Sequence, residues 1–223
     1  MSRPRLSTLS QHLERHGLSS VVWLLLLQPL ENWRILRIGR IHVSSTAAPS
    51  TLPSLPRYQI QARFLEAHEI RPLAAEGANW FFPQAVECSL VRGERCFGLF
   101  VDGQLATSIW YSPGPLKQFG LELEAIPRSV FAHRRFTNPE WRGKGLAPLA
   151  AVYGRALLRE EGIDRTIGTI YATNTSSIRA STKSGSRCIG WIVQIGPDRL
   201  GWSILIPKRT GDPQIPKILR RTG

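Results

Sequence analysis

The segment at residues 139–147, Pro-Glu-Trp-Arg-Gly-Lys-Gly-Leu-Ala, has the composition of a phosphate-binding turn. Its two glycines carry no Cβ and allow the backbone to approach a ligand closely. We predict that a helix follows the turn, with its free N–H groups and its positive dipole end facing the ligand. Arg142 and Lys144 add positive charge at the same place. The segment therefore predicts a site that holds a pyrophosphate without a metal ion.

The elements around this turn follow from the periodicity of the apolar residues. Strands are predicted over residues 58–65, 96–101, 105–111, 128–137, 165–171, 189–195 and 200–206. Helices are predicted over residues 66–75, 79–92, 146–161 and 175–184, and residues 112–127 form a Pro/Gly loop. Because helices alternate with strands, we expect an α/β fold with a mixed sheet covered on both faces.

Two segments resemble motifs of the GNAT (GCN5-related N-acetyltransferase) superfamily. Arg142, Gly145 and Ala147 match the signature R/Q-x-x-G-x-G/A. The run 174–177, Asn-Thr-Ser-Ser, followed by Lys-Ser-Gly at 183–185, is similar to the family's N-x-x-S and K-x-G segment. The resemblance covers residues 58–207. It implies a mixed, mostly antiparallel sheet that is splayed at the cofactor site and flanked by helices, with an N-terminal extension.

The resemblance also implies a reaction and a donor site. The co-substrate would be acyl-CoA, either acetyl-CoA or a longer thioester, and the amine would attack it directly in a ternary complex without a metal. The pantetheine arm would follow the strand end at Phe136 and Thr137, which splays from residues 165–171. Asn174 and Ser177 would lie near the pantetheine or the adenosine, although Asn174 is equally suited to be a helix N-cap. The pyrophosphate would be held by the backbone amides of Arg142, Gly143, Lys144, Gly145, Leu146 and Ala147.

The transfer requires a deprotonated amine, and it requires a hydrogen-bond donor that faces the thioester oxygen when this oxygen becomes negative in the tetrahedral state. We favour His133 as the base, because it lies four residues before Thr137, on the same face by the period of a strand, and titrates near neutral pH. The alternative is a histidine that only fills a strand position. Glu122 and Glu124, spaced to share one face, are the other candidates for the base; they would otherwise bind a cationic acceptor or be solvated.

The acid that protonates the leaving thiolate is less well defined. Members of the family often have a tyrosine seven residues after the asparagine, and here that position is Ser181. Serine is too short to replace the phenol, so the acid is relayed by water, supplied from elsewhere or not needed. Arg134 and Arg135 add charge near the turn, where they contact phosphates or face solvent.

Charge and cysteine content limit the partners. The net charge of +13 is explained by a solvated basic surface or by an acidic partner, such as a nucleotide cofactor, an acyl carrier protein or an anionic membrane surface. Nucleic acid is not expected, since no such motif is present. Cys88, Cys96 and Cys188 have neither metal nor disulfide spacing, which indicates no metal site and a reducing, cytoplasmic location. We also consider a homodimer.

The N-terminal part differs from the rest in composition. We divide the chain into a hydrophobic and basic extension (1–45), a linker (46–57), the transferase domain (58–207) and a loosely ordered basic tail (208–223). Within the extension we predict a helix over 6–16, a helix or buried strand over 18–28, and a strand over 33–43. The apolar run at 21–27 is far shorter than the roughly 20 residues that span a bilayer, and it is not a signal peptide.

The extension leaves two functions open beside transfer from acyl-CoA to a primary amine. It packs as an extra layer on the domain, or it covers a long acyl chain, or it touches a membrane surface. A long-chain N-acyl synthase that uses acyl-CoA or acyl carrier protein thioesters is therefore one alternative. Because of Ser181, a non-catalytic module that binds acyl-CoA is the other.

Overall fold

The computed structural model describes residues 25–26, 28–47, 56–77, 81–197, 201–208 and 216–221. The helix predicted over 6–16 lies outside these ranges. Residues 25–26 and 28–32 are helical, so the described part of the segment 18–28 is helix rather than strand. The helices that follow are α1 (Ala67–Ala75), α2 (Pro83–Val91), α3 (Leu146–Glu160) and α4 (Thr175–Lys183). The strands are β1 (Leu36–Ser45), β2 (Ile60–Leu65), β3 (Arg95–Val101), β4 (Gln104–Ser112), β5 (Leu116–Gln118), β6 (Leu121–Glu124), β7 (Ser129–Thr137), β8 (Arg165–Tyr171), β9 (Arg187–Ile195), β10 (Trp202–Pro207) and β11 (Lys217–Arg221).

Eight of the strands form one mixed sheet in the order β10-β9-β1-β8-β7-β4-β3-β2. Only β7 and β8 run parallel, and the other neighbours are antiparallel. The predicted α/β fold with a mixed, mostly antiparallel sheet is thus confirmed. The chain passes from β7 to β8 through α3, as expected for a crossover connection between parallel strands.

β1 lies in the interior of this sheet. It pairs with β8 over Gly39–Ser45 and with β9 over Leu36–Val43. Ile41, which is fully buried, belongs to the core. The expectation that the chain up to residue 45 lies outside the core fold is therefore wrong for residues 36–45, because their backbone groups complete the hydrogen bonds of two strands of the domain.

The two faces of the sheet have different covers. The first, which we call the α3 face, is covered by α3 and α4; Leu146, Leu149 and Leu158 of α3 are buried together with Ile109 and Tyr111 of β4. The second, which we call the α1 face, is covered by α1 and α2 around Trp110 and by a small second sheet elsewhere. Alternation of side chains along the strands therefore assigns each residue of the large sheet to one of two environments.

The small sheet, in the order β11-β6-β5, corrects two predictions. The segment 112–127 is not only a loop, because it contains the β5–β6 hairpin. The tail contains a strand, β11, whose backbone pairs with β6. Phe119, Leu121 and Leu123 are buried against the α1 face of the large sheet, and burial of these apolar side chains holds such short strands in place.

Candidate active site

A groove opens between the parallel strands β7 and β8. They pair only at Ser129, Val130 and Phe131, opposite residues 165–167. Beyond these positions the strands diverge, and the space between them has a volume of about 220 Å³. The edges of both strands there have no partner across the gap, so their N–H and C=O groups are available to an extended ligand. The expected splay is present.

The two strands approach each other closely at Gly168, which lines the groove. A Cβ on Gly168 would lie 3.2 Å from the carbonyl oxygen of Ala132, so that a side chain would push β7 and β8 apart. On β7 the groove is lined from Ala132 to Arg135. The glycine turn (residues 142–147) follows in the chain after the end of β7 at Thr137.

A β-bulge interrupts β7 beside the groove. Trp110 pairs with His133 and Ser108 with Phe136, which leaves Arg134 and Arg135 opposite a single residue of β4. Arg134 has a positive φ of 45°, as the extra residue of a bulge often does. The bulge shifts the alternation, so that His133 shares its face with Phe136 rather than with Thr137. The prediction that His133 and Thr137 lie on one face is wrong for this reason.

The glycine turn joins the end of β7 to α3. Gly143 and Gly145 have φ values of 79° and 78°, which favour glycine, and a Cβ at either would meet nothing within 4 Å. The turn is therefore open on its outer side. α3 begins at Leu146, and its first turn has unpaired N–H groups at Leu146 and Ala147, since an α-helix has no acceptors for them.

Side chains of the turn brace it against the sheet. The Nε of Arg142 donates a hydrogen bond of 3.1 Å to the carbonyl of Thr137, and its guanidinium lies 5.6 Å from the ring centroid of Phe136. Its backbone N–H donates to Pro139, so the amides that remain for a ligand begin at Gly143. The Nζ of Lys144 lies 4.3 Å from the ring centroid of Trp141.

Asn174 is the N-cap of α4. Its Oδ1 accepts hydrogen bonds from the backbone N–H of Ser177 at 3.1 Å and from the hydroxyl of Ser176 at 3.0 Å. Asn174 and Ser177 also line the groove. The capping role is thus observed, and it places the first turn of α4 along the outer part of the groove.

Arg135 and Ser181 line the groove on the α3 face. Ser181 is 3% exposed, and its hydroxyl accepts a hydrogen bond of 3.4 Å from Nη1 of Arg135. The Nε of Arg135 is buried without a hydrogen-bond partner, and burial lowers the pKa of this arginine. A guanidinium in this position is a strong source of positive potential at the groove.

β1 contributes His42 to the same side of the groove. It lies opposite Gly168 in the register of β1 and β8, and it is 5% exposed. Neither ring nitrogen has a hydrogen-bond partner. Burial, together with the charges of Arg40 and Arg135, lowers the pKa of His42 to about 4. The ring is therefore neutral at pH 7, with one N–H donor and one acceptor nitrogen.

His133 belongs to a charged cluster on the α1 face. Its Nε2 lies 3.4 Å from Oε2 of Glu94, and its Nδ1 accepts a hydrogen bond of 3.3 Å from Nε of Arg134. Arg134 also donates to Glu94 at 2.7 Å. Burial alone would raise the pKa of Glu94, but the polar groups around it, His133, Arg92 and Ser89, outweigh burial and lower the pKa to about 2.

The two glutamates considered as alternative bases lie on β6. Glu124 is exposed at the end of this strand and Glu122 is buried; neither is among the described residues that line the groove. The hairpin does reach the groove through Gln118, whose Oε1 accepts a hydrogen bond from the hydroxyl of Thr169. The structure thus brings His133 to the groove and leaves Glu124 away from it.

Sequence reasoning missed Glu94 and His42. His42 lies between Ile41 and Val43, which are apolar and buried. Its place in this alternation is the sequence signal that assigns its side chain to the opposite face of the strand. Glu94 directly precedes β3 and carries no motif. No group of three or more His, Cys, Asp or Glu in the described part of the chain is arranged to hold a metal ion. Within the same ranges, no helix is long and apolar enough to cross a membrane.

Comparison with known proteins gives matches only at the level of structure. No protein-family model and no curated protein sequence matches the chain. A tandem GNAT protein from the clavulanic acid biosynthesis pathway superposes with a TM-score of 0.52 and 17% identity, over 76% of this chain and 54% of that one.

Two further solved structures are similar at lower TM-scores. A GNAT-family acetyltransferase from Novosphingobium aromaticivorans has a TM-score of 0.44 and 19% identity, over 78% of this chain and 66% of that one. An acetyltransferase of the GNAT family from Colwellia psychrerythraea has a TM-score of 0.49 and 16% identity, over 71% and 55%. The chain thus spans between about half and two thirds of the length of these three proteins. With its splayed β7–β8 pair and the glycine turn before α3, the chain has a GNAT fold.

Proposed function

We propose that the protein is an N-acyltransferase that moves an acyl group from acyl-CoA to a primary amine. The observation that carries the proposal is the groove between the diverging strands β7 and β8, with the glycine turn directly after the end of β7. An anion is favoured at the turn, and an extended chain is favoured along the unpaired strand edges. A pyrophosphate linked to a pantetheine arm combines these two properties.

The donor would bind chiefly to the backbone. The amides of Gly143, Lys144 and Gly145, followed by those of Leu146 and Ala147, would hold the pyrophosphate; the next residue, Pro148, has no N–H to offer. The pantetheine would follow the edge of β7 at Phe136 and Thr137. Its amide groups would there replace the hydrogen bonds that β8 makes further back along the pair.

The acyl transfer needs little beyond orientation and proton removal. The amine nitrogen attacks the thioester carbonyl, the C–N bond forms, and the C–S bond breaks as its electron pair moves to sulfur. We assign the removal of the amine proton to His133, which is beside the groove on the α1 face. In the free protein, Nδ1 of His133 accepts a hydrogen bond from Arg134. The amine substrate therefore has to displace this hydrogen bond before its proton can move to the ring.

Binding of the donor is tested by calorimetry with CoA and acetyl-CoA. We expect Gly145→Glu to abolish binding, because it adds a negative charge and a side chain where the pyrophosphate would lie. Gly162→Glu is the matched control: Gly162 follows the other end of α3, has a φ of 81°, and is equally open. The two variants share their backbone strain, so equal loss of binding in both, or binding retained in Gly145→Glu, would contradict the proposed site.

Turnover is tested by following the release of free thiol with a panel of primary amines. The donors should range from acetyl-CoA to palmitoyl-CoA, with the same acyl groups on an acyl carrier protein as a second series. Activity that rises with chain length, or that requires the carrier protein, would identify a long-chain N-acyl synthase. Tight binding of acyl-CoA without turnover of any amine would identify a binding module and refute the transferase.

A further inference from the structure

Two arginines, the half-buried Arg135 and the buried Arg155, lie close to each other on the α3 face of the large sheet. Arg155 of α3 is 9% exposed and donates to the carbonyl of Ser184, while Arg135 reaches Ser181. Burial lowers the pKa of Arg155, and the charge of Arg135 lowers it further. Like charges in a shared buried region are unfavourable unless an anion lies between or beside them.

No such anion is present among the residues that the structure describes. Neither Arg135 nor Arg155 forms a salt bridge there. The neighbouring phenol of Tyr111 does not supply one, because burial raises its pKa to about 12 in spite of both arginines. The protein thus keeps an uncompensated positive charge at the groove, together with a buried Nε of Arg135 that has no partner.

A second unpartnered group faces the same space. His42 lines the groove from β1 with both ring nitrogens buried and without hydrogen bonds. It lies opposite Gly168 of β8, whereas the glycine turn lies beyond the end of β7. The anion that Arg135 and His42 would meet is therefore not the pyrophosphate, which would remain at the turn.

We propose that Arg135, with Ser181 and His42 beside it, forms a thiolate site that stabilises the departing sulfur of CoA. This inference rests on the proposed function. As the C–S bond breaks, the electron pair and the negative charge move to sulfur, next to the guanidinium and the N–H of the neutral imidazole. The proton that the amine loses goes to His133 and then to solvent, and the thiolate takes its own proton from solvent after release. No acid is required, which accounts for a serine where a tyrosine is common.

The site is tested on bound CoA itself, in the absence of any acceptor. The ultraviolet absorbance of the thiolate reports the titration of the CoA thiol. We expect the thiol pKa to fall by about one unit or more on binding to the wild-type protein, because an opposite charge close by favours the ionised form. Arg135→Met should restore the value of free CoA, Arg135→Lys should keep most of the shift, and His42→Ala should lose a smaller part.

Arg159→Gln is the control for net charge, since it removes an exposed cation from the far end of α3; its thiol pKa should equal that of the wild type. The thiol pKa of CoA bound to the wild-type protein tests the thiolate site without any variant, so the test is possible even if Arg135→Met does not fold. An unshifted thiol pKa in bound CoA would overturn the thiolate site and leave the transferase standing. Absence of CoA binding would overturn the proposed function, and this site with it.

Discussion

The Nε2 atom of His133 lies 3.4 Å from Oε2 of Glu94, a carboxylate that is 5% exposed. Arg134 connects the same two side chains from the bulge of β7. A carboxylate buried at this depth is tolerated because several donors surround it. Glu94 therefore fixes both the ring of His133 and the bulge that turns Arg135 towards the opposite face.

We expect Glu94→Gln to lower the free energy of unfolding by about 2 kcal/mol, because it weakens the charge-assisted hydrogen bonds that Arg92 and Arg134 donate to a buried carboxylate. Urea unfolding measures the change. Glu87→Gln is the matched control, since Glu87 pairs with Arg71 at an exposed site and contributes far less. Equal effects of the two substitutions would show that the buried cluster does not stabilise the fold.

The proposed base is tested separately from binding. We expect His133→Gln to lower kcat roughly a hundredfold or more with an amine that the wild type acylates, and to leave the Kd for acetyl-CoA unchanged. His68→Gln, which changes an exposed histidine, serves as the control. Unchanged kcat in His133→Gln would assign proton removal to water.

The buried ring of His42 makes stability depend on pH. Its pKa is about 4 in the folded protein and about 6.5 in the unfolded chain, so the unfolded state binds more protons between these values. Stability should therefore fall as pH decreases through this window, by about 2 kcal/mol between about pH 7 and pH 5. Urea unfolding at both values should show this difference in the wild type and not in His42→Gln. A difference of the same size in the variant would assign the effect to other groups.

The position of β1 predicts the effect of truncation. A chain that starts at residue 46 should lose cooperative thermal unfolding and CoA binding, because β8 and β9 lose the strand between them and expose their edges. A chain that starts at residue 25 keeps β1 and should retain both properties. Circular dichroism and calorimetry measure the two outcomes. A stable, CoA-binding chain from residue 46 would instead support the domain boundary expected at residues 46–57.

Local signals explain what was predictable. The glycine turn, α3 and the β3–β4 hairpin at Asp102-Gly103 depend on residues that are close in sequence, and each was predicted near its observed bounds. The positive φ values of Asp102 and Gly103 are those that such a two-residue turn requires. The β5–β6 hairpin was missed because its strands are short, although Leu121 and Leu123 alternate with two glutamates.

Non-local pairing explains what was not predictable. The bulge at Arg134 is a mismatch between β4 and β7, and neither strand shows it alone. The insertion of β1 depends on partners in β8 and β9 that follow far later in the chain. As a consequence, the sequence did not indicate that His42 lines the groove. It also predicted that His133 shares its face of β7 with Thr137, whereas His133 shares it with Phe136.

The place of β1 also determines when the fold can be completed. Ile41 pairs with Thr169 on one side and Gly190 on the other, so β1 can pair only after partners that follow it at a long distance in the chain have been made. Contacts between residues so distant in sequence slow folding, because loop closure costs entropy before the pairing repays it. During that interval the apolar residues of β1 are unprotected. We therefore expect slow refolding and a tendency of the nascent chain to aggregate, with the groove, and any affinity for CoA, forming last.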